Sequence, residues 1–155
     1  MDKFDPNKTV EGAGSASYLA KNLRDLPHIV ERLSEQHKFP LVLFIGELGA
    51  GKTTLIKEWL KYLGIAEKVS SPSFSLVNIY NSSVGENIYH IDLYRLNDAA
   101  EAFDLGLEEY LYSGHLCFVE WPQIVYDYLE APFHVVNIKV LGNKEREITL
   151  HDIPC

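Results

Sequence analysis

The sequence predicts a single α/β domain with a mixed parallel and antiparallel sheet flanked by helices. Short apolar runs bounded by turn residues alternate with segments of helical periodicity, a pattern typical of this class. The length of 155 residues suits one domain, and no linker, internal repeat or low-complexity tract divides the chain. Residues 1–155 are therefore expected to form one domain, with polar residues 1–12 poorly ordered.

The first elements are predicted from apolar spacing. Residues 15–36 have a helical pattern, with apolar residues three and four apart, and Pro27 is expected to divide them into two helices. Residues 41–45 are all apolar and lie between Pro40 and Gly46, which predicts a strand buried on both faces. Residues 52–63 have an apolar helical face that ends at Gly64.

The remaining elements complete the sheet. A hairpin is predicted around the turn at residues 81–85, and a helical segment interrupted near Gly106 follows it. The predicted strands are residues 74–80, 87–92, 116–120, 133–141 and 146–151, and the helical segment is residues 98–112.

The charge balance argues against direct binding of RNA. The formal net charge is −8, and only four arginines occur. Proteins that bind nucleic acid usually present a basic face, because phosphate contacts supply most of their affinity. The chain has no apolar run near the ~20 residues of a membrane helix, and its start does not resemble a secretory signal. A cytoplasmic location without membrane contact is expected.

The segment from Gly46 to Thr53 matches the phosphate-binding pattern G-x-x-x-x-G-K-[ST] at every position. Its glycines let backbone N–H groups turn toward phosphate oxygens, and the following helix adds the positive end of its dipole. In this pattern Lys52 reaches the β- and γ-phosphates, and the Thr53 hydroxyl ligates Mg²⁺. The segment follows a predicted buried strand and opens a predicted helix, which favours a P-loop nucleotide-binding domain for ATP, or a close relative, as the Mg²⁺ complex.

Two carboxylates are candidates for the metal and the attacking water. Glu120 ends the apolar run at residues 116–119, and Asp92 ends the run at residues 88–91. Either acid can also be an ordinary strand-end carboxylate. On a strand, His90, Asp92 and Tyr94 would share a face, although a single histidine there is more often structural. Ser73 can reach the γ-phosphate or simply belong to a serine-rich turn.

Five segments together resemble the TsaE family, formerly called YjeE. These segments are GELGAGKTT, SPSF, HIDLYR, GLEEY and VEWP, which occur in family order between about Leu41 and Pro122. The C-terminal hairpin with Gly142 and Arg146 is also similar. The resemblance implies an ATPase that supports threonylcarbamoyl modification of the tRNA adenosine beside the anticodon. It implies TsaD and TsaB as partners, tRNA contact only through them, and weak activity alone.

The loop match and the resemblance together indicate the site residues. Lys52, Asp92 and Glu120 are the expected catalytic residues, and Thr53 and Glu120 the expected metal ligands. We assign Glu120 to the metal, directly or through a water, and Asp92 to the attacking water, with His90 and Tyr94 as support. The residues expected to contact the nucleotide are Glu47, Leu48, Gly49, Ala50, Gly51, Lys52, Thr53, Thr54, Ser73, Trp121 and Arg146.

The chain departs from the family pattern at several positions. Glu47 stands where the family usually has Asp, and Ser73 where it usually has Thr. The region before Pro40 is longer than usual, with an extra helical stretch. No residue there clearly matches a family threonine near the base, so the adenine contacts are left unassigned.

Three other functions compete with ATP hydrolysis. A small-molecule or nucleotide kinase of the P-loop class commonly uses several arginines to hold two sets of phosphates, and this chain has few. A GTPase would use an Asn-Lys-x-Asp motif, but Arg146 stands at the aspartate position after Asn143 and Lys144. A non-hydrolysing nucleotide-binding module is less favoured, because the sequence offers two acids at strand ends.

Overall fold

A seven-stranded mixed sheet with helices on both faces forms the protein. The predicted α/β class is confirmed, although the sequence predicted six of the seven strands. The computed structural model describes residues 15–65, 67–70, 72, 76–130 and 132–154; the prediction for residues 1–12 lies outside them. The strands are β1 (Ser15–Ala20), β2 (Leu41–Gly46), β3 (Val77–Asn81), β4 (Asn87–Asp92), β5 (Leu116–Glu120), β6 (Phe133–Val140) and β7 (Arg146–Ile153). The α-helices are α1 (Leu26–Gln36), α2 (Lys52–Tyr62), α3 (Ala99–Asp104) and α4 (Leu107–Leu111), and short 3₁₀ turns cover Leu23–Asp25, Pro122–Ile124 and Tyr126–Tyr128.

The strand order is β1-β7-β6-β2-β5-β4-β3. The central strands β6, β2, β5 and β4 are parallel to one another, while β1, β7 and β3 pair antiparallel with their neighbours. Strand β2 lies in the middle, which explains its continuous apolar sequence, since both of its faces are covered. The carboxyl ends of β2, β4 and β5 therefore meet at one edge of the sheet.

Two apolar cores lie on the two faces of the sheet. Alternate residues of β2 point to opposite sides, so Phe44 packs in one core with Trp59 of α2, and Leu43 packs in the other with Leu107 of α4. All four of these side chains are almost completely buried. The packing of α2 against β2 fixes the position of the loop that joins them.

The predicted helix at residues 15–36 is wrong in its first part, because Ser15–Ala20 is an edge strand paired with β7. The leucines that suggest helical spacing are not on a buried face: Leu19 is 51% exposed and Leu23 is 71% exposed. Tyr18 and Ala20 contact the core instead, which is the alternation of a strand. The extra helical stretch before Pro40 is therefore an edge strand followed by one helix.

Pro27 begins a helix rather than dividing one. It lies in the first turn of α1, where its missing N–H would have no partner within the helix in any case. The interruption predicted near Gly106 is confirmed, because this residue has a φ of 82° between α3 and α4. Among the described residues, no helix combines the length and the apolar character needed to cross a membrane.

Candidate nucleotide site

The loop between β2 and α2 is shaped to bind an anion. The Ala50 N–H donates to the Glu47 carbonyl oxygen at 2.9 Å, which closes a turn. Gly49 and Gly51 have φ angles of 81° and 108°, in the left-handed region that favours glycine. A Cβ at Gly46 would lie 2.8 Å from the Ile138 carbonyl oxygen, so the loop also packs closely on β6. Helix α2 then begins at Lys52, with its N-terminal N–H groups beside the loop.

Lys52 is held inside this loop. Its side chain is 5% exposed, and Nζ donates to the Gly46 carbonyl oxygen at 2.5 Å. Nζ also lies 3.5 Å from the ring centroid of Trp121, a cation–π contact. Burial lowers the pKa of Lys52, while Glu120 and Asp92 act in the opposite direction. The ammonium group is thus placed between the loop carbonyls, an aromatic face and two nearby acids.

Glu120 connects the loop helix to the sheet. Its Oε1 accepts a hydrogen bond from the Thr53 hydroxyl at 2.8 Å, and its Oε2 lies 2.6 Å from the His90 Nε2. Both Glu120 and His90 are buried. His90 is therefore a neighbour of Glu120, although the sequence suggested it as support for Asp92. A sequence alone does not reveal this contact, because it depends on the pairing of β4 with β5.

Asp92 lies beside Glu120 on the neighbouring strand. The two residues are paired in the parallel register of β4 and β5. Burial raises the pKa of Asp92, and the nearby Glu120 charge raises it further; the Tyr94 N–H bond, His90 and Lys52 oppose the increase. The Tyr94 N–H donates to Asp92 Oδ1 at 3.0 Å. Tyr94 lies beyond the end of β4, so it does not continue the strand face that His90 and Asp92 share.

Trp121 covers one side of the site. Its φ of 55° lies in the left-handed region, and among the described non-glycine residues Trp121 is the one with such a backbone. The centroid of the Trp121 ring lies 4.9 Å from that of Tyr94. The Trp121 ring also contacts the Lys52 ammonium group. This backbone turn sends the indole across the carboxyl edge of β5, next to the loop.

A pocket of about 690 Å³ opens on the other side of the loop. Its lining includes glycines 49 and 51, Thr54, and residues of the turn after β1 and of the β6–β7 turn. Arg146 lies in this wall, and its Nε donates to the Ala50 carbonyl oxygen at 2.9 Å. Asn22 and Leu23 also line the pocket, although the helical spacing of the segment around them does not predict this.

The remaining predicted site residues differ in their exposure to solvent. Glu47, Leu48 and Thr54 are exposed on or near the loop, whereas Ala50 is buried under it. Ser73 lies outside the described residues. The structure thus brings the loop, Asp92, Glu120, Trp121 and Arg146 together.

The residues present fit a magnesium–nucleotide complex. The loop glycines leave open space where a side chain would stand, and nothing lies within 4 Å of a Cβ built at Gly49 or Gly51. A hydroxyl and a carboxylate are oxygen donors of the kind Mg²⁺ prefers, and Thr53 and Glu120 supply them in contact. No group of three or more His, Cys, Asp or Glu residues suited to a metal ion occurs in the described ranges. Thr53 and Glu120 alone provide few protein ligands, which suits Mg²⁺, because this ion takes much of its coordination from phosphate and water.

A buried strand, a glycine loop with Lys and Thr, an amphipathic helix and an acid on the adjacent strand define a P-loop nucleoside-triphosphatase fold. Within that class, residues 20–148 match the family model described as threonylcarbamoyl adenosine biosynthesis protein TsaE. The chain belongs to the TsaE family.

Individual relatives agree with the family match. The chain is 43% identical over 104 residues to a tRNA threonylcarbamoyladenosine biosynthesis protein TsaE from Bacillus subtilis, covering 67% of this chain and 64% of that protein. It is 41% identical over 112 residues to a protein of that name from Rickettsia prowazekii, covering 72% and 76%. The crystal structure of Bacillus subtilis YdiB superposes with a TM-score of 0.72 at 31% identity, covering 90% of this chain and 86% of that one.

Proposed function

We propose that this protein is a Mg²⁺-dependent ATPase that supports threonylcarbamoyl modification of tRNA, acting in the cytoplasm with TsaD- and TsaB-type partners. The observation that carries the proposal is the placement of two carboxylates, Asp92 and Glu120, at paired ends of adjacent strands beside a complete phosphate loop. The family membership supplies the biological setting, since its members are described as acting in threonylcarbamoyladenosine biosynthesis.

The loop residues would hold the phosphates. Backbone N–H groups of the loop and of the first turn of α2 would bind phosphate oxygens, and Lys52 would exchange its carbonyl partners for the β- and γ-phosphates. Thr53 and Glu120 would hold Mg²⁺, directly or through a water. When bound, Mg²⁺ neutralises negative charge on the phosphates as it develops during transfer.

Asp92 is the residue best suited to the attacking water. It is half-buried, and its pKa is raised by burial and by the Glu120 charge, which makes it a stronger base than an exposed aspartate. Its Oδ1 is fixed by the Tyr94 N–H, so the carboxylate has a defined orientation. We assign Asp92 to orienting or deprotonating the water, and Trp121 to covering the phosphates.

The pocket of about 690 Å³ would take the sugar and the base. It adjoins the loop at Gly49 and Gly51, and its volume lies in the range of ligand pockets. Apolar walls from Leu26 and Ile148 suit the flat face of a base, and the amides of Asn22 and Asn143 offer hydrogen bonds at its edge. Arg146 would act mainly by bracing the loop through Ala50.

The negative charge of the chain argues against direct contact with RNA. With a net charge of −8, the isolated protein would be repelled by the phosphate backbone. We therefore propose that TsaD- and TsaB-type subunits hold the tRNA, that this protein hydrolyses ATP in their complex, and that its activity alone is weak.

Phosphate release from ATP and GTP, measured with and without the purified partner complex, tests the proposal. We expect Mg²⁺-dependent release from ATP that increases when the partners are added, and none from a folded Lys52→Ala variant. Tight ATP binding without release under either condition would favour a non-hydrolysing module instead. Transfer of the γ-phosphate to an added small molecule, rather than to water, would favour a kinase.

A further inference from the structure

His90 is a fully buried histidine in the middle of the candidate site. It lies on β4, two residues before Asp92, and its Nε2 is 2.6 Å from Glu120 Oε2. A carboxylate oxygen only accepts hydrogen bonds, so Nε2 must carry the hydrogen. The other ring nitrogen, Nδ1, has no hydrogen-bond partner in the part of the chain that the structure describes.

Buried His134, elsewhere in the same sheet, differs from His90 in binding the backbone with one ring nitrogen. The Nε2 of buried His134 accepts the backbone N–H groups of Lys38 and Phe39, at 2.7 and 3.1 Å, and so satisfies a loop. The His134 Nδ1 also lies 3.0 Å from Asp152 Oδ1, whereas the bond to Glu120 is the one ring hydrogen bond of His90 in the described residues, and the His90 Nδ1 is buried at a cost. An apolar residue would fill the same position without that cost, so the bond to Glu120 is the contact that distinguishes histidine here.

We propose that His90 is a positioning residue that orients Glu120 for the cation; this inference rests on the proposed function. His90 holds Oε2, and Oε1 is thereby turned toward Thr53, the other expected metal ligand. Both carboxylate oxygens are then fixed before a metal–nucleotide complex binds. Hydrogen bonds to a ligating carboxylate from outside the metal shell typically change metal affinity 10- to 100-fold when they are removed.

Two polar substitutions separate this role from a packing role. His90→Gln can place its amide nitrogen near the position of Nε2, whereas His90→Asn has a polar side chain that is too short to reach Glu120. Calorimetry with ADP, in Mg²⁺ and in EDTA, gives the factor by which Mg²⁺ improves nucleotide binding. We expect His90→Asn to lose about 10-fold or more of that factor, and His90→Gln to keep most of it. Metal-free binding should change little in both variants, because the loop is untouched.

A double-variant cycle tests whether His90 acts through Glu120. Glu120→Gln should lose the Mg²⁺ factor, and adding His90→Asn to it should cause little further loss. His151→Gln is the matched control, since His151 is a buried histidine with no ring hydrogen bond in the described residues and lies at the far end of the sheet. His90→Phe replaces His90→Asn if the latter does not fold, because it fills the ring volume without a donor.

Two results would overturn the inference. One is a Mg²⁺ factor in His90→Asn, or its replacement, that stays within about twofold of wild type, well below the expected change. The other is independent losses that multiply in the double variant with Glu120→Gln. If wild-type protein binds ADP equally with and without Mg²⁺, the proposed function fails and this inference with it. A wild-type enhancement that the His90 variant retains overturns the inference alone.

Discussion

Asp92 and Glu120 are paired residues of the parallel strands β4 and β5, so their side chains lie next to each other on one face of the sheet. Their surroundings nevertheless differ. Glu120 is held by a histidine and by the Thr53 hydroxyl, whereas Asp92 is held by the backbone N–H of Tyr94. Two acids with different partners at one edge can perform different parts of one reaction.

The first prediction separates the two acids. Glu120→Ala should weaken Mg²⁺-dependent nucleotide binding as well as turnover, because it removes the partner of Thr53. Asp92→Asn should keep MgATP binding but lose hydrolysis by roughly 10²- to 10⁴-fold, the usual contribution of a general base. Binding titrations and phosphate release on both variants measure this. If Asp92→Asn loses Mg²⁺-dependent binding while Glu120→Ala keeps it, the two roles are reversed.

The second prediction concerns Lys52. Lys52→Ala should abolish tight nucleotide binding and hydrolysis, because no other loop side chain can place a positive charge on the β- and γ-phosphates. The fold should survive, since the Nζ contacts are confined to the loop carbonyls and the Trp121 ring beside them. Calorimetry with MgATP and a thermal unfolding curve measure both effects. A folded variant with unchanged affinity for MgATP would contradict the assignment of the loop as the phosphate-binding site.

The third prediction concerns the choice of base. ATP should be preferred over GTP, because Arg146 occupies the position of the guanine-reading aspartate and its Nε is bonded to Ala50. A guanidinium has no acceptor for the N–H groups of guanine. Turnover of both nucleotides under matched conditions is the measurement, and equal or faster turnover of GTP would contradict the prediction.

The fourth prediction concerns tRNA. The purified protein alone should bind tRNA weakly or not at all at physiological salt, because a chain of net charge −8 cannot neutralise several phosphates. A filter-binding or anisotropy titration measures the affinity, with the partner complex as the positive control. Submicromolar binding by the isolated protein would require a different model of recruitment.

The fifth prediction concerns pH and the far end of the sheet. His134 is buried, and burial lowers its pKa. Two contacts raise the pKa instead: Asp152, whose Oδ1 lies 3.0 Å from the His134 Nδ1, and a hydrogen bond with the His151 backbone. The charge of His37 lowers the pKa further. The unfolded chain therefore binds a proton near pH 6.5 that the folded chain does not. The free energy of unfolding should fall as pH decreases below about 6.5, by up to about 1.4 kcal/mol per pH unit for this group.

Denaturant unfolding between pH 7.5 and 5 measures this effect. His134→Gln is the informative variant, because its amide oxygen can still accept the N–H groups of Lys38 and Phe39 but cannot titrate. The variant should show a shallower decrease of stability with acid. Burial also lowers the pKa of His151, so His151→Gln should remove a further part. An unchanged slope in both variants would exclude these histidines as its source.

Local sequence was sufficient for the loop and for most of the sheet. The run at residues 41–45 is apolar throughout and lies between Pro40 and Gly46, which left few alternatives to a buried strand. The helix prediction for residues 15–20 was wrong because Leu19 and Leu23 fit helical spacing by chance. Pairing with β7 decided its conformation, and such pairing is a long-range contact that apolar spacing does not contain.

The contacts within the site were less predictable than its members. The loop pattern and the strand-end acids predicted Thr53, Asp92 and Glu120 as site residues, and these residues lie together in the structure. The sequence did not predict which of their atoms meet. The bond between His90 and Glu120 exists because β4 and β5 are adjacent and in a particular register. The pocket wall at Asn22 follows from the path of the chain after β1, which depends on the same long-range pairing.

Trp121 gives the protein an internal optical reporter. The chain has two tryptophans: Trp59 is completely buried in the core on α2, whereas Trp121 is partly exposed and touches the Lys52 ammonium. A soluble quencher should therefore reach Trp121 and spare Trp59. Any ligand that draws Lys52 away from the indole should change the emission of Trp121 alone, so intrinsic fluorescence can follow occupancy of the loop in the unlabelled protein.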